Sequence, residues 1–138
     1  MRKILFLLLF IAPSCYATDS PKMPDYMQAH KIYIPLNCIN SQTQPEMDEC
    51  HHKNLSALTT KMDMILSLLK KNYKTSEPGL LKELEKSQAA WKNYHVANCD
   101  FETYESRNGT GYSSIQNMCL ETKLNERISY LQWILDHP

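Results

Sequence analysis

Residues Thr43 to Tyr73 read TQPEMDECHHKNLSALTTKMDMILSLLKKNY, and this stretch decides the fold. Thr43-Gln44-Pro45-Glu46 has the form of a capping box. The Thr43 hydroxyl is placed to accept from an orphan first-turn amide while Glu46 reaches back, and Pro45 is tolerated where no N–H is needed. Beyond it Met47, Cys50, Leu55, Leu58, Met62, Ile65, Leu66 and Leu69 recur mostly at spacings of three and four. That period places them on one face of a long helix running to about Tyr73. Asp48, His52, Lys53, Lys61 and Lys70 fall on the other face.

Toward the C-terminus, Thr75-Ser76-Glu77-Pro78-Gly79 interrupts the pattern and begins a second helix. Its stripe is Leu81, Leu84, Gln88, Trp91, His95 and Cys99, with Leu80 and Tyr94 beside it. Arg107-Asn108-Gly109-Thr110-Gly111 concentrates turn formers and reads as an exposed turn. Ser113 and Gln116 have the spacing of another capping box, and Leu120, Leu124, Ile128, Leu131 and Leu135 make a third stripe. No strand-like alternation of useful length occurs. Three amphipathic helices with short connections predict an all-α, antiparallel three-helix bundle, because each apolar face needs a partner.

Toward the N-terminus, residues 18–37 carry Pro21, Pro24 and Pro35 with little periodicity and predict an extended arm. Before it stands the three-part layout of a secretory signal peptide: Arg2 and Lys3, an apolar run from Ile4 to Ala12, and small residues at Cys15 and Ala17. Cleavage is expected after Ala17, giving a signal at 1–17, an arm at 18–37 and a helical domain at 38–138. The apolar run is about half of the ~20 residues that span a bilayer, so no membrane span is expected. Lipid attachment at Cys15 is a poor fit, since Ala12 stands where a lipoprotein signal usually has a larger aliphatic residue. The expected location is periplasmic or secreted.

The full chain carries 15 bases and 15 acids. Loss of Arg2 and Lys3 with the signal leaves the mature chain at −2. No basic surplus speaks for a nucleic-acid partner, and no polybasic patch speaks for anionic lipid.

Removing Cys15 with the signal leaves Cys38, Cys50, Cys99 and Cys119, an even set in an oxidising compartment. Four cysteines permit three pairings, and sequence alone does not choose between them. Proximity favours Cys38 with Cys50, pinning the arm to the first helix, and Cys99 with Cys119, stapling the second helix to the third. Cys50-His51-His52 is rich in potential ligands, with His30, His95 and His137 elsewhere. Adjacent helical residues point about 100° apart, and a structural zinc site needs thiolates in place of disulfides, so no metal or other cofactor is expected. Catalysis is not expected either. His95 has no Ser or Cys nucleophile partnered to it, and three helices of this length offer no obvious cleft across which Glu102 and Glu105, or Asp48 and Glu49, would face a glycosidic bond.

Trp91 on an apolar face reads as core. The sequons Asn54-Leu55-Ser56 and Asn108-Gly109-Thr110 read as coincidence in a bacterial-type precursor. The best interaction candidate is the loop carrying Glu105, Arg107, Asn108 and Tyr112, braced at its base by the expected Cys99–Cys119 link. A loop held in this way loses less entropy on binding.

With cysteines and helix faces placed, the chain resembles the N-terminal domain of the LprI-like lysozyme-inhibitor family from about Cys38 to Leu131. The resemblance rests on Cys38 followed by Thr43-Gln44-Pro45-Glu46-Met47 and Cys50. It continues with Gln88-Ala89-Ala90-Trp91 before Cys99, then Gly109 and Gly111, Cys119, Thr122, Arg127 and Leu131. The chain departs from the usual pattern at His95, where arginine is common, at Thr59 to Leu66, and in the Asn-Gly-Thr-Gly loop. The resemblance implies a protein that binds and occludes a lysozyme without chemistry of its own. For a chain that inhibits lysozyme, the expectation is that the Glu105–Tyr112 loop enters the catalytic cleft, with Arg107 and Asn108 donating to the paired carboxylates. The alternative is a periplasmic structural or adaptor module for another envelope protein.

Overall fold

The computed structural model describes residues 33–138. The expected signal peptide, Cys15, His30 and the arm up to residue 32 lie outside the described residues.

Three helices make the fold: α1, Gln44–Ser76; α2, Pro78–Glu102; and α3, Tyr112–Asp136. Short 3-10 turns at Cys38–Asn40 and Tyr104–Ser106 flank them. α1 begins as its sequence predicts. The Glu46 amide donates to the Thr43 hydroxyl at 3.3 Å, and the Glu46 carboxylate accepts from the amides of Thr43 and Gln42 at 3.2 and 2.7 Å. The helix runs past Tyr73 to Ser76, so the expected break over Thr75–Gly79 shrinks to Glu77 alone. The reason is Pro78. Its ring drives the preceding residue out of the helical region, and Glu77 sits at φ −144°, ψ 77°. Lacking an N–H, Pro78 then serves as the first residue of α2.

The third helix corrects one expectation. Ser113 and Gln116 form no capping box; the cap position is Gly111, without a side-chain hydrogen bond. The Gln116 amide instead donates to the Asp100 carboxylate on α2 at 2.8 Å, a cross-helix bond that competes with any local one.

Successive helices are antiparallel, as expected. Gln88 of α2 reaches Met62 of α1, and Lys70 pairs with Glu85 closer to the turn. Two reversals leave α1 and α3 parallel, with Asp48 opposite Ser114 and His51 opposite Glu121. This parallel pair shares the largest interface among the described helices. The core lies mainly along it, with Leu58, Met62, Ile65, Leu66 and Leu69 from α1 and Leu124, Ile128 and Leu131 from α3. From α2 only Leu84, Gln88 and Cys99 are buried. Tyr94, Val96 and Phe101 remain exposed on it, so α2 is the shallowly seated helix.

Candidate functional site

Two disulfides brace one half of the bundle in the pairing that proximity favours, Cys38–Cys50 and Cys99–Cys119. The second ties α2 to α3 where α2 has little else buried, and Cys99 is 0% exposed. A second tie lies beside it. Lys123 of α3 meets Glu102 of α2 at 3.0 Å. That pairing lowers the pKa of the carboxyl and raises that of the ammonium from their ordinary values.

The loop between α2 and α3 rests on this base. The Thr103 hydroxyl donates to the Cys99 carbonyl at 2.7 Å, closing the last turn of α2. Gly109 donates to Ser106, and Tyr112 to Gly109, at 2.9 and 3.2 Å. A side chain on Gly109 would begin 3.3 Å from the Ser106 carbonyl, which explains glycine at this close approach. Glu105, Arg107 and Asn108 are exposed together on the loop, while Tyr112 is half-buried as the first residue of α3. The Arg107 guanidinium lies 4.8 Å from the centre of the Tyr104 ring and reaches the Asp100 carbonyl at 3.4 Å. Its fork is therefore held before any partner arrives.

A polar seam continues from the loop between α1 and α3. The Gln44 amide donates to Ser114 and to Asp48, each at 2.8 Å, and the Ser114 hydroxyl donates to Asp48. Those bonds, Ser114's foremost, hold the Asp48 carboxyl below its ordinary pKa. One turn on, His51 Nδ1 meets Glu121 at 2.7 Å. With Cys50 in a disulfide, His51 on Glu121 and His52 exposed, the Cys50-His51-His52 run has no common target. Among the described residues no group of three His, Cys, Asp or Glu is arranged to hold a metal.

Asn54 and Asn125 are the residues that sequence reasoning missed. Both are buried, and both bind backbone of the segment before α1. Asn54 accepts the Leu36 amide at 2.8 Å and donates to the Leu36 carbonyl at 3.0 Å, imitating a strand partner. Asn125 accepts the Tyr33 amide at 2.8 Å. The available signal was an asparagine at helix positions adjoining the apolar stripe. Burial also removes Asn54 from consideration as a glycosylation acceptor. Asn54→Ala leaves both Leu36 groups unpaired and is expected to cost roughly 1–3 kcal/mol. Urea unfolding monitored by circular dichroism checks this, and an unchanged midpoint would contradict it.

A second cluster locks α2 to α3. Arg127, buried, donates from Nε to the Gln88 carbonyl oxygen at 3.0 Å and from Nη2 to Ser87 at 3.2 Å. Its guanidinium also lies 5.7 Å from the centre of the Trp91 ring. Burial pulls its pKa below the ordinary arginine value. Trp91 packs against the core, as expected, and stacks on His95 with ring centres 4.2 Å apart. His95 meanwhile contacts the Trp91 carbonyl at 3.2 Å. No helix among the described residues is long and apolar enough to cross a membrane.

Fold and site together define a disulfide-braced three-helix domain that carries a braced loop at one end. The profile of the family described as "Lysozyme inhibitor LprI" matches residues 37–131, most of the chain, and the chain belongs to that family. No curated protein and no solved structure matches it.

Proposed function

We propose that the chain is an exported lysozyme inhibitor that binds its enzyme and occludes the cleft, contributing no chemistry of its own. Membership of the lysozyme-inhibitor family over residues 37–131 carries this reading. The two disulfides suit a protein that works outside the cytoplasm, in the periplasm or beyond the cell.

The Glu105–Tyr112 loop is the element that enters the cleft. Hydrolysis by a muramidase depends on carboxyl groups facing across a groove, and an inhibitor needs donors for them. Arg107 offers a planar fork suited to a carboxylate, and Asn108 adds an amide. Because Tyr104 and the Asp100 carbonyl already hold Arg107, less side-chain entropy is lost on binding.

Purified mature protein added to a lysozyme lysis assay tests the function. Loss of lysis at near-stoichiometric ratios is the expected result, and undiminished lysis at large excess would overturn it. Arg107→Ala with Asn108→Ala is expected to weaken inhibition at least tenfold while leaving the thermal midpoint in place, since both residues are exposed. Unchanged inhibition by the double variant would remove the loop from the interface.

A further inference from the structure

Between the segment before α1 and the parallel helices α1 and α3 lies an open groove of about 620 Å³. Most of its open wall is apolar, from Ile34, Leu36 and Ile39 of the segment, Met47 of α1 and Met118 of α3, with Asn37 and Thr122 among the polar residues that complete it. Four of the five apolar side chains stand in solvent, Ile39 being 81% exposed and Ile34 65%. Side chains of this kind are ordinarily scattered singly, and a concave cluster of them marks a binding surface.

The charge of the groove is one-sided. Glu121 and Glu126 line it, and no lysine or arginine does. Its one titratable base, His51, is already engaged by Glu121 at 2.7 Å. Of the cations beside Glu126 on α3, Arg127 is turned to Gln88 and Ser87 on α2, and Lys123 makes its hydrogen-bonded pair with Glu102 on α2 at 3.0 Å. Glu126 is exposed; Lys123 attracts it only through space, with no hydrogen bond or close ion pair to it among the described residues, so its carboxylate oxygens stay open to a further cation. Apolar walls with such a carboxylate match a side chain that has a long methylene stem and a cationic head.

We propose that this groove seats an arginine or lysine side chain from a basic segment of the protein partner. The proposal rests on the reading that the partner is a protein. It adds a second contact to the loop, on the same half of the bundle. Gln44 stands between the two, bonded to Ser114 and 3.5 Å from where a side chain on Gly111 would begin.

Methionine methyl resonances report on the groove directly, because Met47 and Met118 line it while Met62 is core and Met64 is exposed on α1. The probe is the capped peptide acetyl-Leu-Arg-Leu-amide, with a second peptide in which neutral citrulline replaces arginine. Titrated into the full mature protein with labelled methionine methyls, the arginine peptide is expected to shift Met47 and Met118 saturably and to leave Met64 in place. The citrulline peptide should bind at least fivefold more weakly, and Glu126→Gln should erase most of that difference. Equal response to both peptides, or none, overturns the proposal. So do shifts produced by protein concentration alone, which would give the groove to a second copy. A response confined to a synthetic peptide of residues 18–32 would give it to this chain's own segment and overturn the proposal equally. The lysis assay is separate. Inhibition with Met47 and Met118 unmoved by added lysozyme sinks the groove and keeps the inhibitor, whereas a charge-dependent peptide response without inhibition does the reverse.

Discussion

Replacing Cys99 and Cys119 together by alanine is expected to lower stability by about 3 kcal/mol, the chain-entropy value for closing a loop of this length. The bridge spans 20 residues of sequence. A domain of this size has about 5–15 kcal/mol in total, so the change takes a large share of it. In urea the midpoint should fall by on the order of 2 M. The loss should also be uneven. α2 has Leu84, Gln88 and Cys99 as its only buried residues, and Cys99 is the one buried residue of its C-terminal half. Amide exchange should therefore accelerate most between Trp91 and Glu102 and in the following loop, and least in α1. The Cys38–Cys50 bridge closes a shorter loop of 12 residues, and its removal should release mainly the segment before α1. An unmoved urea midpoint for the Cys99–Cys119 double variant would show that α2 is seated by something other than this bridge.

The second large effect is expected from Leu131→Ala. Leu131 is 0% exposed and belongs to the cluster shared by α1 and α3. Truncation there removes transfer free energy and leaves a cavity that two long helices cannot easily close, a cost of roughly 2–5 kcal/mol. For a domain of about 100 residues each 1 kcal/mol moves the thermal midpoint by roughly 4–8 °C, so a drop of at least about 8 °C is expected by calorimetry. Phe101→Ala is the matched control. It deletes a larger apolar side chain, but one that is 80% exposed, and should stay within about 0.5 kcal/mol of the parent. If the two variants melted together, the α1–α3 interface would not be the core described above.

The family resemblance gains a physical meaning from the structure. Thr43 and Glu46 start α1, Cys38–Cys50 ties the incoming segment to it, Cys99–Cys119 ties α2 to α3, and Gln88, Trp91 and Arg127 meet in one cluster joining α2 to α3. The residues by which the chain is recognised therefore build the frame. What is proposed to face a partner, Arg107 and Asn108 on the loop and Ile34, Ile39 and Glu126 at the groove, is mostly carried by other residues. The frame was legible for that reason: helix period, capping and cysteine spacing are local signals. The loop was legible as a turn because glycine and asparagine mark one, yet nothing local shows that Arg107 folds back onto Tyr104.

The amino-acid order alone determined the number of helices, their apolar faces and the start of α1. Each depends on interactions within about four residues of chain, where backbone geometry is fixed and pattern is enough. Tertiary structure decided that the parallel pair α1 and α3 would hold most of the core, leaving α2 shallow. It also decided that Gln116 would bond Asp100 and not cap its own helix, and that Asn54 and Asn125 would grip the backbone of the incoming segment. Those outcomes join residues 16 to 92 positions apart. Competition between a local partner and a distant one is settled only when packing brings the distant one within hydrogen-bond range.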